Sequence, residues 1–528
     1  MEKKDLTIRK RKKTNIFIRL FLNQMTPTIL LVLIQIAVFV LFLINIFENF
    51  YSYYLLNLAI SIILIATILK RDTDQSYKIA WIVIVSILPI FGSLLYLWVR
   101  IMPAAHSISK KLVRRMQETS SYMKQDETVQ EEIRQNYFEY AGVVNYLHNY
   151  GPFPTYRNQA ATYYPLGDDV YPDMIKALEG AKKFIFLEYF IIAPGIMWNS
   201  IVTILKQKVQ EGVEVRLLYD GLNSLTTIPR NYYKKIRATG IQCRVFSPLS
   251  STLSPYQNSR DHRKMMIIDG QIGFIGGINL ADEYINQLNR FGHWKDTALR
   301  FRGEAVNSLT ISFLSMWHIY DKVPMIVEPY LHNPNDFQIA AKNESATGFI
   351  TPYADAPEDG EERGERLFLD QISDAKHYVH IYTPYLVMNE ALKKAITAAQ
   401  KRGVEVVIIM PHHPDKKIPF WVARTYYAAL IKIGIKIYEY TPGFMHGKLV
   451  ISDDKIINIG SINFDFRSLY LNYENGALIF DAEIAKKAEQ DYQQTMAKSE
   501  LITLKRCRKF PWFERLIGFI MSFFDPLF

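Results

Sequence analysis

The stretch HRKMMIIDGQIGFIGGIN, residues 262–279, is stated a second time as HGKLVISDDKIINIGSIN at 446–463. Aligned without a gap, both copies follow H-x-K-x4-D-x6-G-[GS]-I-N. A lone H-x-K-x4-D arises by chance in roughly a few per cent of chains this long. Two matched copies at equivalent places reduce that chance to well under about one per cent. The repeat therefore constrains the fold before any other feature does.

The surroundings of the two motifs repeat as well. In the first half, strand candidates at 184–192, 213–221 and 241–248 alternate with helices near 199–211 and 231–239. In the second half, strands at 378–387, 404–411 and 435–440 alternate with helices at 389–402 and 421–433. Alternation of this kind predicts an α/β fold. Each series runs up to one motif, so the chain carries a duplicated domain of nearly 200 residues.

The motif spacing carries chemistry. Alternating side chains put His262 and Lys264 on one strand face, and likewise His446 and Lys448. Each motif thus offers an imidazole beside a fixed cation. Gly276-Gly277 and Gly460-Ser461 allow close backbone approach. Asn279 and Asn463 open a polar stretch from which their amides can donate to an anion.

The first hundred residues differ in character. Lys3, Lys4, Arg9, Lys10, Arg11, Lys12, Lys13 and Arg19 precede an apolar run at 28–47. Twenty residues at about 1.5 Å rise match a hydrocarbon core of about 30 Å. A signal peptide would carry a shorter apolar region and a small-residue cleavage site, and neither is present. With further apolar runs at 55–69 and 79–99, the segment reads as two or three transmembrane helices of a multi-pass protein of the cell membrane. Pro89 and Gly92 allow the third run to re-enter instead of spanning.

Elsewhere the sequence is less specific. A charged, helical stretch covers 101–150. Cys243 and Cys507 make no disulfide framework. The net charge of +10 suits an anionic partner, lipid or nucleic acid alike. The acidic run at 357–365 reads as a solvated loop and helix start. His412-His413 reads as a loop at the sheet mouth, since adjacent strand residues face opposite ways. IPFW at 418–421 is either an apolar lip for lipid or ordinary helix packing. The tail PWFERLIGFIMSFFDPLF, after Lys505, Arg506, Arg508 and Lys509, is too short to span and reads as an interfacial amphipathic helix.

With its paired H-x-K-x4-D motifs the chain resembles the phospholipase D superfamily. HWKD (293–296), NFDFRS (463–468), the apolar N-terminal runs and the element order resemble the bacterial cardiolipin synthase family, over about residues 53–528. Residues 1–27 read as a basic leader, 28–100 as the membrane anchor, 101–150 as a helical linker and 501–528 as the tail; the leader and the first apolar run look like an addition to the two-segment anchor usual in the family. The resemblance places phospholipase D-like domains, facing across a pseudo-twofold axis, at 151–340 and 341–500.

It further implies transfer of a phosphatidyl group from one phosphatidylglycerol to another, giving cardiolipin and glycerol without cofactor or metal. His262 is then the nucleophile that forms a phosphohistidine, and His446 the general acid and later base, although symmetry alone leaves that order open. The rings should lie roughly 5–7 Å apart across one phosphorus. Lys264, Lys448, Asn279 and Asn463 would hold the phosphate, and Asp296 and Glu474 would orient the histidines. Asp269 and Asp453, within the catalytic motif, would steady it from behind. Acid and base roles require environments that push the two imidazole pKa values apart. The expected partners are membrane phospholipids, not nucleic acid. A hydrolytic phospholipase D differs only in the final acceptor; a nuclease-like member or an inactive scaffold are the remaining alternatives.

Overall fold

The computed structural model describes residues 37, 50–71, 75–101, 104–157, 160–248, 259–332, 348–357 and 360–524. The described residues fall into two compact units, one drawn from 1–107, 249–259 and 519–528 and the other from 108–248 and 260–518.

The N-terminal unit corrects the expectation of transmembrane helices. Among the described residues no helix is long and apolar enough to cross a membrane. The second apolar run, 15 residues, lies within the helix Phe50–Leu69 and extends only about 22 Å, against the roughly 30 Å needed. The third run is divided at Leu88 into Gln75–Ile87 and Pro89–Ile101, helices of 13 residues each. Pro89 explains the division, because the residue before a proline is disfavoured in helical conformation. Gly92 lets the two pieces close up, since a Cβ there would stand 2.5 Å from the Ile84 carbonyl oxygen. Leu64, Ile68, Trp81, Val85 and Tyr96 bury against one another, with the Trp81 and Tyr96 rings edge-on at 5.2 Å. The leader and nearly all of the first run, 28–47, lie outside the described residues.

In the larger unit the expected duplication is visible as two sheets of one topology. The first has seven strands in the order Ala161–Tyr164, Ala298–Arg302, Ile272–Gly276, Lys264–Ile268, Phe184–Tyr189, Glu214–Asp220 and Gln242–Phe246. The second repeats it as Phe349–Asp355, Glu474–Phe480, Ile456–Gly460, Leu449–Ser452, Tyr378–Tyr382, Glu405–Pro411 and Lys436–Tyr440. Its edges carry two further strands, Tyr156–Arg157 and Ser499–Leu501. In each sheet three strands are parallel and the motif hairpin joins them antiparallel, as Glu188 against Met265 and Ile381 against Val450 illustrate.

Apolar alternation accounts for this. Phe184–Tyr189 is buried at every position, as expected of a strand covered on both faces. Helices Ile196–Gln210, Tyr232–Arg237, Glu390–Lys401 and Lys417–Ile433 fall where the helical periodicity predicts them, within a few residues. Within 104–150 lie the helices Ala104–Thr119, Glu127–Asn136 and Ala141–Tyr150. A small parallel pairing, His293–Lys295 with Gly443–Met445, stitches the two halves immediately before the second motif.

Candidate active site

Each motif's histidine and lysine stand at the start of the hairpin strand, where it meets the opposite half. The His262 backbone N–H donates to the Tyr473 carbonyl at 2.9 Å, and the His446 N–H donates to the Lys295 carbonyl at 2.7 Å. These bonds are reciprocal. So are the side-chain contacts one residue further along. His262 Nδ1 lies 2.9 Å from both Glu474 carboxylate oxygens, and His446 Nδ1 lies 2.5 Å from Asp296 Oδ2. Glu474 and Asp296 belong to opposite halves from the rings they hold, and both are fully buried. A carboxylate on Nδ1 draws the ring proton there and leaves the Nε2 lone pair directed outward.

The lysines are braced alike, each ammonium donating to the backbone carbonyl of its own motif histidine. Lys448 Nζ also lies 2.7 Å from His446 Nδ1. Both lysines act electrostatically on both histidines, as one shared cleft requires.

Burial governs the charges. It holds His262 well below the usual imidazole range, assisted by the Lys264 and Lys448 ammoniums. Burial and then Lys448 push His446 down to about 4, against the opposing pull of Asp296. Burial also lowers Lys264 to about 7 and Lys448 to about 8, and raises Glu474 to about 7. The two imidazoles are therefore depressed together, not pushed apart as the sequence led us to expect. The reason is that both are buried beside cations of like placement. An anion bound between the lysines would oppose these shifts and raise the proton affinity of both imidazoles.

The other sequence candidates take different positions. The Asp269 carboxylate accepts the backbone N–H groups of Lys182, Lys183 and Phe184, and Asp453 accepts those of Lys376, His377 and Tyr378. Both sit in left-handed turns, φ 55° and 56°, at the far end of the motif strand. Each lies five positions beyond its lysine, roughly 16 Å of strand. They fasten the hairpin to the first strand of its sheet. Asn279 accepts the Ile191 N–H and donates to the Tyr284 hydroxyl at 2.7 Å, while Asn463 donates to Ser468 Oγ at 3.1 Å. Among the described residues one N–H of each amide is left without an assigned acceptor.

Sequence reasoning missed the aromatic walls. Tyr284, Trp294 and Phe444 surround His446 with ring centroids 5.3–5.5 Å away, whereas His262 meets Phe190 edge-on at 4.9 Å. It also missed a buried charge cluster behind the motif, where Arg263 pairs with Asp261 and Glu188. A glutamate inside the otherwise apolar FIFLEYF and an arginine in HRK, on neighbouring strands, were the available signal.

The halves differ where one carries a glycine and the other a serine. A Cβ on Gly277 would stand 2.1 Å from Asp296 Oδ1. At the equivalent Ser461 the side chain is accommodated and its hydroxyl donates to Glu474. Gly277→Ala is thus expected to displace Asp296 and lower kcat by about 10–100-fold. Ser461→Ala should cost far less. Steady-state rates of the two variants check this.

Comparison with known proteins bears on what this cleft does. A family model described as "Cardiolipin synthase, PLD-like domain" matches residues 174–291 and 368–496, spanning both motifs. A model for a phospholipase D-nuclease N-terminal region matches 59–100. A cardiolipin synthase of Alkalihalophilus pseudofirmus is 31% identical over 474 residues, 89% of this chain and 92% of that protein. The chain belongs to the cardiolipin synthase family. As a family member it is a phosphatidyltransferase of the phospholipase D superfamily. Cardiolipin synthase 2 of Bacillus anthracis is likewise 31% identical, over 87% of this chain and 88% of its own length. The phosphatidylserine synthase of Haemophilus influenzae superposes with a TM-score of 0.54 at 15% identity, covering 73% of this chain and 97% of that one, and so shares the fold.

Proposed function

We propose that the cleft transfers a phosphatidyl group from one phosphatidylglycerol to a second through a phosphohistidine on His262. The observation that supports this most is the reciprocal holding of each imidazole by a carboxylate of the other half. With Nδ1 of each ring held in this way, each Nε2 is free to face a phosphorus placed between the two halves. In the first step His262 Nε2 attacks phosphorus, and the phosphorus–oxygen bond to glycerol breaks. His446 gives its proton to the departing glycerol oxygen. In the second step the glycerol hydroxyl of another phosphatidylglycerol attacks the phosphohistidine, His446 takes its proton, and the P–N bond breaks. Lys264 and Lys448 stabilise the equatorial oxygens throughout. The aromatic walls around His446 exclude water and so favour a lipid alcohol as acceptor over hydrolysis. The natural location for such chemistry is a phospholipid surface.

The direct test supplies purified protein with phosphatidylglycerol in detergent, with excess chelator. Glycerol release together with cardiolipin is expected. Phosphatidic acid as the main product would replace the transferase reading with a hydrolytic one. Loss of all turnover on chelation would contradict charge supply by the lysines.

A pH dependence follows from the lysines. Their depressed pKa values mean the cationic form is present at low pH and lost as pH rises through about 7 and 8. Since kcat/KM reports the free enzyme, its alkaline limb should fall in that window, far below the ordinary lysine value of about 10.4. His262, held low, stays neutral and nucleophilic to well below pH 6.5. A profile flat to pH 10 with a short-chain substrate would show that the lysines' ionisation does not matter.

A further inference from the structure

The helix Trp512–Ser522 presents an apolar face that nothing in the larger unit covers. At about 100° per residue, Trp512, Leu516, Phe519, Ile520 and Phe523 fall on one side. Trp512 is 73% exposed and Leu516 49%. The opposite side holds the protein. Gly518 packs so closely on the helix Lys417–Ile433 that a Cβ would lie 2.5 Å from the Trp421 carbonyl oxygen. Glu514 pairs with Arg424 at 3.3 Å, and Arg424 in turn grips Glu439 with two nitrogens. The helix is thus fixed with its apolar side turned outward.

Two further observations say what that side meets. Lys505, Arg508, Lys509 and Arg515 are exposed beside it and make no ion pair among the described residues. The partner is therefore anionic as well as apolar. The helix that carries this one also begins at the cleft. Asp415 accepts the Tyr385 hydroxyl at 2.7 Å, and Lys416 lies over the Tyr385 ring at 5.3 Å. The loop holding Tyr385 is bonded to Phe464, next to Asn463, through Thr383 Oγ1 and the Val387 N–H. Ile418, in the first turn, is exposed, and Trp421 meets Phe513 edge-on at 6.1 Å.

We infer that the helix Trp512–Ser522 lies in the surface of an anionic phospholipid bilayer and sets the cleft mouth at Asp415–Ile418 against it, so that lipid headgroups enter without leaving the interface. Apolar side chains enter the acyl boundary while the flanking cations meet acidic headgroups. This rests on the lipid-transfer reading above but is tested apart from it.

In the full-length chain, Leu516→Cys carries an environment-sensitive dye; the native Cys243 and Cys507 are buried. Vesicles of phosphatidylglycerol and phosphatidylcholine should shift the dye emission to the blue. Changing Lys505, Arg508 and Lys509 to Gln together should weaken that response by about tenfold or more. Leu516→Glu should lower cardiolipin formation on vesicles while short-chain, monomeric phosphatidylglycerol turns over at the parent rate. The inference is overturned by water-like emission on anionic vesicles. It is overturned equally by the same shift on pure phosphatidylcholine, or by a shift that follows protein concentration without vesicles and so reports a second copy. If the parent fails to turn over the short-chain lipid, the transfer reading fails, and the dye still reports on the helix.

Discussion

His262→Ala is expected to abolish both cardiolipin formation and the covalent lipid adduct, with turnover falling by about four orders of magnitude or more. The physical ground is that, in the proposed mechanism, His262 is the nitrogen that bonds phosphorus, while His446, held likewise by Asp296, is engaged with the proton of the departing glycerol. On the proposed mechanism, His446→Ala leaves that nucleophile intact but removes the proton for the departing glycerol. It should still form adduct, slowly, and be unable to discharge it at a useful rate. Acid-quenched protein after incubation with phosphate-labelled phosphatidylglycerol separates the two cases. Adduct in the His262 variant and none in the His446 variant would exchange their roles. Normal turnover in either would sink the shared cleft.

Asp296→Asn should be nearly as damaging, on the order of 10³–10⁴ in kcat, although it removes only one oxygen. The Thr297 N–H occupies Asp296 Oδ1 at 2.8 Å, so an asparagine there would keep its carbonyl oxygen on that donor. Its NH₂ would then face His446 Nδ1 and force the ring proton onto Nε2. That tautomer cannot accept a proton from the incoming hydroxyl. Because the shape is unchanged, circular dichroism and melting should match the parent. A variant that melts early would instead report a packing role for Asp296.

The duplicated fold was readable because its strands are short, apolar and buried, and because two gapless copies of one pattern fix the register of both halves. The opposing placement of Asp296 and Glu474 was readable only as equivalence of position after the motifs; sequence cannot show that each reaches the other half's ring. Asp269 and Asp453 illustrate the limit. Their invariant spacing from the lysines suggests a steadying role behind the motif, but not that each carboxylate sits in a turn and collects three backbone N–H groups. A recurrent polar residue at a turn satisfies the backbone as readily as it serves a substrate. The N-terminal runs misled for another reason. Hydropathy reads the third run as one span, and only Pro89 within it signals the break that divides it at Leu88.

Reciprocal holding of the rings makes turnover a gauge of how tightly the two sheets are shut. A slight parting would free both imidazoles at once and strain the short pairing of His293–Lys295 with Gly443–Met445, while the two large sheets kept their hydrogen bonds. In a thermal ramp, activity should therefore vanish several degrees before the far-ultraviolet signal moves.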